Sequence, residues 1–500
     1  MMQMSLQQRG QQAQTLAGLG RLQEALVLVE AAPASEREAL MALRISILKA
    51  LERPEAVVPL RRAQVKAAPN SMVAHHNLAS ALGDAGAAAE AETEARKALS
   101  LGGKAPETWL VLARALQAQH KLEEAIAAYG EVMARRSDYL EAINEQAQLL
   151  WMSGADVGTA REPYTQALVR HPALAQLHQA QAIFNAYVGQ PEREVWQELT
   201  QGAAKAGLQV AGIETDAAHL ALAFDPALAV AHARKAVALP PNDIASWTTL
   251  AKALLVTGEV GEAREILSQL LPTAGQQQIV LALHATALRM ADEKDPLGLD
   301  DGDGLIRATQ IDTPDGWGSL SAYLADLKVA LEAQHAFNRH PIGQSLRHGS
   351  QTPVDLRRVD DPAIKAFFSA IDGPIRRYLA ALGTGNDPVR SRNTGEYRFA
   401  GCWSIRLRSG GFHEAHIHSK GWLSSACYID LPPAVDRGGQ EGWIGFGVPP
   451  FNLKQPLVPL KVEKPEPGKL VLFPSCMWHG TLPFDDDHQR LTIAFDLVPA

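Results

Sequence analysis

The feature that most constrains the fold of this 500-residue chain is a repeat of about 34 residues in its first half. Three segments carry a bulky residue, then a leucine, then small residues at the same offsets. The matching sets are His75, Leu78, Ala79, Leu82, Ala91, Ala95 and Ala98; Trp109, Leu112, Ala113, Leu116, Ala125, Tyr129 and Val132; and Trp247, Leu250, Ala251, Leu254, Gly258, Ala263 and Leu267. A unit of this length cannot bury its apolar face alone, so the period predicts stacked pairs of helices.

The pattern resembles the tetratricopeptide repeat. In that repeat, small residues lie where the two helices of a pair meet closely, and a glycine ends the first helix in a left-handed conformation, as Gly258 would here. The resemblance implies an all-α solenoid over residues 1–292, with a concave groove that binds a protein or peptide segment. A structural role for the array, in positioning or dimerising a second domain, remains an alternative.

The array is followed by a short acidic, glycine-containing segment at residues 293–304, which is typical of a linker. A last helix over about residues 275–291 would close the array. The spacing and the closing glutamate of an EF-hand calcium loop are missing from the segment. A second domain is therefore expected over residues 305–500, beginning with helices at about 319–334 and 361–382.

The sequence from residue 395 onward changes to short strand-like segments separated by Gly- and Pro-rich turns. They span residues 397–408, 412–418, 423–431, 442–447, 458–463, 468–474, 479–484 and 490–498. Eight short strands after two helices predict an α+β domain with a double-stranded β-helix core, the jelly-roll or cupin-like barrel.

The composition excludes several classes of function. Lys and Arg number 47 and Asp and Glu 55, a net charge of -8, which argues against a nucleic-acid partner. A membrane partner is not expected, because no run of 18 apolar residues exists and the start lacks the apolar core of a signal peptide. The three cysteines, Cys402, Cys427 and Cys476, fit neither a disulfide framework nor a cysteine zinc site. We expect them to be buried, in a cytoplasmic protein.

A cluster of histidines carries the chemistry of the second domain. His413, His416 and His418 lie within six residues. Residues two apart on a strand face the same side, so His416 and His418 are expected to converge on one ion. A later apolar strand ends at His479, and Arg490 begins another alternating strand. Imidazole groups from two segments predict a metal site.

The order of these residues resembles the iron(II)- and 2-oxoglutarate-dependent oxygenases. Several blocks are similar to the 2OG-Fe(II) oxygenase family that is often fused to tetratricopeptide repeats in bacteria, and the resemblance covers roughly residues 305–500. The blocks are Gly411-Phe412-His413, His416-Ile417-His418, Gly421-Trp422-Leu423-Ser424-Ser425-Ala426-Cys427-Tyr428, Phe473-Pro474-Ser475, Trp478-His479-Gly480-Thr481 and, upstream, Gln344-Ser345-Leu346-Arg347-His348-Gly349-Ser350-Gln351-Thr352.

The resemblance implies roles for particular residues. Two histidines and one carboxylate bind iron(II) in such enzymes, and a late arginine pairs with the distal carboxylate of 2-oxoglutarate. By position, His416 and His479 are the histidine ligands and Arg490 is the anchor. Thr492 lies two residues further on the same face and is expected to bind the same carboxylate. Arg406 or Arg408 is the alternative anchor.

The chain departs from the family at the position of the carboxylate ligand, where it has His418. We expect a triad of His416, His418 and His479. Alternatively, His418 lies outside the ligand set and Glu414 or a water completes it. Because imidazole suits several metals, zinc is an alternative to iron.

Two further residues are assigned to the neighbourhood of the metal. His413 is expected to orient the substrate or to hydrogen-bond a ligand histidine. The resemblance alone places Gln351 beside the site.

Together these observations predict a dioxygenase that uses iron(II), 2-oxoglutarate and O₂ to hydroxylate a protein or peptide recruited by the repeats. Two other functions remain open. One is a non-catalytic adaptor whose barrel only binds a metal. The other is a three-histidine dioxygenase that does not use 2-oxoglutarate, for which Arg490 would be dispensable.

Overall fold

The computed structural model describes residues 4–500. They form two compact units that divide after Gln146. Helices occupy the first 290 residues: α1 Leu6–Gly18, α2 Leu22–Glu30, α3 Met41–Ala50, α4 Pro54–Ala67, α5 Met72–Asp84, α6 Ala88–Ser100, α7 Pro106–Ala118, α8 Leu122–Arg135, α9 Leu140–Met152, α10 Val157–Arg170, α11 Ala175–Tyr187, α12 Glu192–Lys205, α13 Ala211–Ala221, α14 Pro226–Ala238, α15 Ile244–Thr257, α16 Val260–Ala274 and α17 Gln278–Met290.

Consecutive helices pack against each other from α1 to α8 and from α10 to α17, as the 34-residue period predicts. The repeated leucine and alanine positions form the contacts between paired helices. In α7 and α8 the buried members are Leu112, Ala113, Leu116, Ala125, Tyr129 and Val132. Gly258 ends α15 with a φ of 87°, the left-handed conformation that glycine adopts without strain. The prediction of a helical repeat array is confirmed.

Residues 302–382 contain three helices and two short strands, and residues 397–499 contain seven strands. The elements are α18 Gly302–Leu305, β1 Arg307–Gln310, α19 Leu320–Glu332, β2 Leu346–Gln351, α20 Pro362–Leu382, β3 Tyr397–His413, β4 Leu423–Asp430, β5 Ile444–Phe446, β6 Lys461–Glu463, β7 Lys469–Pro474, β8 His479–Thr481 and β9 Arg490–Pro499. They build a six-stranded antiparallel sheet in the order β1-β7-β4-β9-β3-β2 and a three-stranded antiparallel sheet in the order β6-β5-β8.

The helices expected near residues 275–291, 319–334 and 361–382 are confirmed as α17, α19 and α20. The separate strand expected over residues 412–418 is wrong, because β3 continues to His413 and the chain then leaves the sheet. Within residues 414–418, only His416 forms a bridge, to His479. Two strands were not predicted: β1 is short and largely exposed, and β2 is polar and interrupted by a bulge.

Alternation along β9 gives the larger sheet two different faces. One set of side chains joins the apolar core that includes α19 and α20: Leu491, Ile493, Phe495 and Leu497. The intervening set lines a cavity: Arg490, Thr492, Ala494 and Asp496. Because successive strand residues point to opposite sides, the same strand builds the core and presents polar groups to the cavity.

The last repeats and the sheets share a hydrophobic core within the unit that begins at residue 147. Trp478, just before β8, is 6% exposed and packs among residues of α13 to α17. Its Nε1 donates a hydrogen bond to Thr286 Oγ1 at 3.0 Å. Gln278 Nε2 donates to the Gly421 carbonyl at 3.0 Å. Helix α17 is therefore bonded to the segments that flank β4 and β8.

None of the helices in residues 4–500 combines the length and the apolar character that crossing a membrane requires. Cys402, Cys427 and Cys476 are buried free thiols.

Replacing the Trp478 side chain should weaken the packing between the last repeats and the sheets and so lower the stability of the protein. We expect Trp478→Ala to destabilise the protein by about 3–5 kcal/mol through the cavity it leaves. Thr286→Val should cost about 1–3 kcal/mol, because the indole N–H loses its buried acceptor. Urea denaturation followed by circular dichroism measures both changes. Thr286→Ser keeps the hydroxyl and is the control; equal stability of the Val and Ser variants would contradict the hydrogen bond's role.

Candidate metal centre

Three histidines from two separate segments meet at one point. His416 and His479 lie opposite each other and exchange backbone hydrogen bonds of 2.9 and 3.0 Å. The backbone N–H of His418 donates to the Ser475 carbonyl at 3.0 Å. One nitrogen from each of the three rings lies within 4.8 Å of the other two. Backbone pairing between residues 416–418 and 475–479 thus brings the predicted triad together.

The Nδ1 atom of each ring is held by an acceptor. His416 Nδ1 lies 2.8 Å from the Glu414 carbonyl oxygen, and His479 Nδ1 lies 2.9 Å from that of Met477. His418 Nδ1 lies 2.6 Å from Asp496 Oδ1. Since these oxygens accept, each Nδ1 carries the proton, and the Nε2 atoms carry lone pairs.

The environment favours the neutral form of His416 and His479. Burial lowers the pKa of His416 to about 3, with the neighbouring His418 as the next cause. Burial also lowers the pKa of His479 well below its ordinary value. His416 Nε2 and His418 Nε2 are 3.1 Å apart, so their lone pairs repel unless a cation lies between them. A set of convergent imidazole nitrogens fits a divalent transition metal.

Asp496 is a residue of the site that the sequence analysis missed. Besides its bond to His418, its Oδ1 accepts from Ser424 Oγ at 2.7 Å, and Ser475 Oγ lies 2.8 Å from Ser424 Oγ. A carboxylate behind a ligand histidine fixes the ring and raises its basicity. The alternation that places Arg490 and Thr492 on one face also places Asp496 there, and this signal was available in the sequence.

His413 lies beside the triad and outside it. Ser345 Oγ is 3.0 Å from His413 Nδ1 and 3.2 Å from His416 Nε2, so its hydroxyl links the two rings. The His413 and His416 rings are stacked with centroids 5.9 Å apart. Burial lowers the pKa of His413 well below its ordinary value. Ser345 belongs to the upstream block of residues 344–352 that resembles the oxygenase family. Only the fold brings it beside the histidines.

Glu414 and Gln351 occupy different positions on the cavity wall. The Glu414 carboxylate pairs with Arg347 at 2.8 Å and does not join the histidine group, whereas its backbone carbonyl orients His416. Gln351 is the last residue of β2 and also faces the cavity.

Arg490 is a buried cation without an anion. It is 2% exposed and lines the same cavity as the histidines. Among residues 4–500 it has no salt bridge, and its Nε has no hydrogen-bond partner. The Tyr428 ring lies 5.2 Å from the guanidinium. Burial lowers the pKa of Arg490, and proximity to the Tyr428 phenol opposes that effect. A buried guanidinium of this kind is suited to a carboxylate ligand.

Thr492 lies next to Arg490 on the face of β9 that lines the cavity, and it is also buried. The alternative anchors are placed differently. Arg406 and Arg408 direct their guanidinium groups to backbone carbonyls of residues 335–338 and are not on the wall of this cavity. The cavity itself has a volume of 610 Å³.

The fold and the site define a helical-repeat protein with a C-terminal sheet domain that contains a three-histidine centre. Residues 401–496 match the family model described as "Putative 2OG-Fe(II) oxygenase". Residues 220–287 match the tetratricopeptide-repeat model. The two resemblances inferred from the sequence are thereby confirmed.

Solved structures with similar helical regions include the crystal structure of MamA, which is 17% identical and for which the match covers 32% of this chain and 94% of that chain, with a TM-score of 0.27. MamA from Desulfovibrio magneticus RS-1 is 15% identical over 34% of this chain and 98% of that chain, with a TM-score of 0.30. The crystal structure of the APC/C hetero-tetramer Cut9-Hcn1 is 15% identical. The match covers 54% of this chain and 53% of that chain, with a TM-score of 0.30. No curated protein matches the chain.

Removing the negative charge behind His418 should weaken metal binding. We expect Asp496→Asn to lower the affinity for iron(II) about 10–100-fold, the usual effect of losing a carboxylate that supports a ligand histidine. Anaerobic competition with a chelator measures the affinity. Asp487→Asn is the control, because it removes the same charge from an exposed position in the segment before β9. Equal affinities of the Asp496→Asn variant and the wild type would contradict a role for Asp496 in the metal centre.

Proposed function

We propose that this protein is an iron(II)- and 2-oxoglutarate-dependent dioxygenase that hydroxylates a protein or peptide substrate bound by its repeats. The observation that carries the proposal is the presence, in one cavity, of a convergent histidine triad and a buried arginine without an anion. The match of residues 401–496 to the oxygenase model supports the same chemistry.

The triad would hold iron(II) through the Nε2 atoms of His416, His418 and His479. When bound, iron(II) supplies the redox chemistry that couples the oxidation of 2-oxoglutarate by O₂, to succinate and CO₂, to the hydroxylation of a C–H bond. Arg490 would bind the distal carboxylate of 2-oxoglutarate with Thr492 beside it, because a planar guanidinium matches a carboxylate in two hydrogen bonds.

The surrounding side chains orient the ligands and limit water. Asp496 keeps the proton of His418 on Nδ1, which leaves Nε2 free for the metal. The Trp403 ring stacks on His418 with centroids 5.8 Å apart, and Phe473 packs on His479 at 4.5 Å. These rings fix the imidazole planes and reduce the space for solvent on their outer sides.

We propose that the two antiparallel sheets together are the jelly-roll core expected from the sequence. The histidine-bearing strand β8 of the smaller sheet and strand β9 of the larger sheet line the same cavity, as the two halves of such a core would. The assignment of residues 1–292 to the array, 293–304 to a linker and 305–500 to the oxygenase-like domain is part of this proposal.

The all-imidazole ligand set favours one competing function, a three-histidine dioxygenase that does not use 2-oxoglutarate. In that case nothing in the reaction needs the positive charge of Arg490. The two functions therefore differ in what the removal of Arg490 does.

Anaerobic addition of iron(II) and then 2-oxoglutarate to the full chain tests the proposal. We expect a weak visible charge-transfer band that requires both additions, because 2-oxoglutarate chelates the iron. Arg490→Ala should retain iron and lose the band at 2-oxoglutarate concentrations that saturate the wild type. Arg406→Ala removes an arginine from the neighbouring strand and should keep the band. A band of undiminished affinity in Arg490→Ala would contradict the anchor, and bound iron without a band would favour the competing function.

Removal of one ligand histidine tests the triad separately. We expect His479→Ala to lose iron(II) binding, because two remaining imidazoles cannot hold the ion in the same geometry. His488→Ala removes an exposed histidine that pairs with Asp430 and should leave the iron content unchanged. Iron stoichiometry measured after anaerobic desalting decides the outcome. Unchanged stoichiometry and affinity in His479→Ala would contradict the triad.

A further inference from the structure

A second cavity borders the cavity at the histidines along the repeat helices. It has a volume of 1090 Å³ and shares four wall residues with the first, and these are Tyr187, Lys252, Gly343 and Glu414. The second cavity is bounded by residues of α11, α13 and α15 and by the segment between α19 and β2. Its volume alone exceeds that of a typical small-molecule site. The space suits an extended polypeptide better than a metabolite.

The wall around the histidines has an excess of positive charge, although the chain as a whole has a net charge of -8. The two acidic residues on this wall are already paired, Glu414 with Arg347 and Asp496 with His418. Three cations on the wall have no carboxylate partner among residues 4–500: Lys252, Lys420 and Arg490. The cavity therefore favours anionic ligands.

The repeat array supplies one of these cations. Lys252 lies on α15 and is half-buried. The Lys252 Nζ atom is 3.5 Å from His219 Nε2. Thr249 Oγ1 is closer to the same nitrogen, at 2.9 Å. The Phe451 ring lies 5.9 Å from the ammonium. Burial lowers the pKa of Lys252 to about 8, so the ammonium form still predominates at neutral pH. A partly desolvated ammonium without an anion is stabilised when a ligand carboxylate pairs with it.

The positions of the cations assign them different ligands. Arg490 is 2% exposed and lines only the cavity with the histidines, where 2-oxoglutarate would lie. Lys252 belongs to both cavities and so lies where a longer ligand would pass from one to the other.

We propose that Lys252 binds an aspartate or glutamate side chain of an acidic peptide substrate that extends through the two cavities. This inference rests on the proposed function, because the peptide is the molecule that the metal centre hydroxylates. It assigns the repeats a direct part in choosing the substrate, since a repeat side chain lies on the wall of the catalytic cavity.

Binding of two matched peptides to the full chain tests this proposal. The fluorescent probes are the heptapeptide Gly-Ser-Glu-Asp-Glu-Ser-Gly and its amide counterpart Gly-Ser-Gln-Asn-Gln-Ser-Gly, measured by anisotropy with iron(II) and 2-oxoglutarate under anaerobic conditions. We expect the acidic peptide to bind at least tenfold more tightly. Lys252→Met should abolish this preference, and Lys252→Arg should retain most of it. Lys205→Met removes an exposed lysine of α12 outside both cavities and should behave as the wild type.

Several results would overturn the proposal. Equal affinities of the two peptides for the wild type, or an acidic preference that persists in Lys252→Met, would exclude a carboxylate site at Lys252. If Lys252→Met weakened 2-oxoglutarate binding by the same factor, Lys252 would belong to the cosubstrate site. If a single N-acetylated, amidated aspartate competed as well as the heptapeptide, the ligand would be a small carboxylate.

The charge-transfer band recorded on the same samples separates this proposal from the proposed function. A normal band without an acidic preference would contradict the role of Lys252 and leave the dioxygenase assignment standing. An acidic preference without a band would support the carboxylate site and contradict the dioxygenase assignment.

Discussion

The packing of Trp478 into the last repeats is the interaction on which the metal centre depends most. Trp478 immediately precedes His479, and its indole belongs to a buried cluster with residues of α13 to α17 and donates a hydrogen bond to Thr286. His479 in turn exchanges backbone hydrogen bonds with His416. A side chain buried in the repeats thus determines where a histidine of the sheets lies. Within residues 147–500, the repeats are part of the structural support of the site.

The electrostatics of the cavity show a site built for charged ligands. Burial favours the neutral form of His416 and His479, and Arg490 and Lys252 on the same wall have no carboxylate partner among residues 4–500. Each of these groups is less stable in the cavity than in water until a ligand of opposite character binds. A cation at the histidines and carboxylates at Arg490 and Lys252 would satisfy all three positions. The proposed iron, 2-oxoglutarate and acidic peptide would each meet this requirement.

Periodicity accounts for what could be predicted about the site. Alternation on β9 places Arg490 and Thr492 on one face, and the structure has both on the cavity wall. His416 and His418 converge as expected, but not because they lie on one strand. The sequence pattern suggested a strand, whereas these residues follow the end of β3 and bond to the irregular segment 475–479. The local pattern predicted which side chains converge, and backbone hydrogen bonds between distant segments bring them together.

The sequence alone determined the repeat array, helices α17, α19 and α20, most strands of the second half and the residue types available for a metal. These features depend on local periodicity and on the chemistry of single side chains. Only the tertiary structure decided that Asp496 supports His418, that Ser345 links His413 to His416, and that Lys252 lies on the cavity wall. Asp496 is 78 positions from His418, and Ser345 is 68 positions from His413 and 71 from His416. No local sequence pattern encodes such proximity, because it arises from backbone pairing and packing between segments that are distant along the chain.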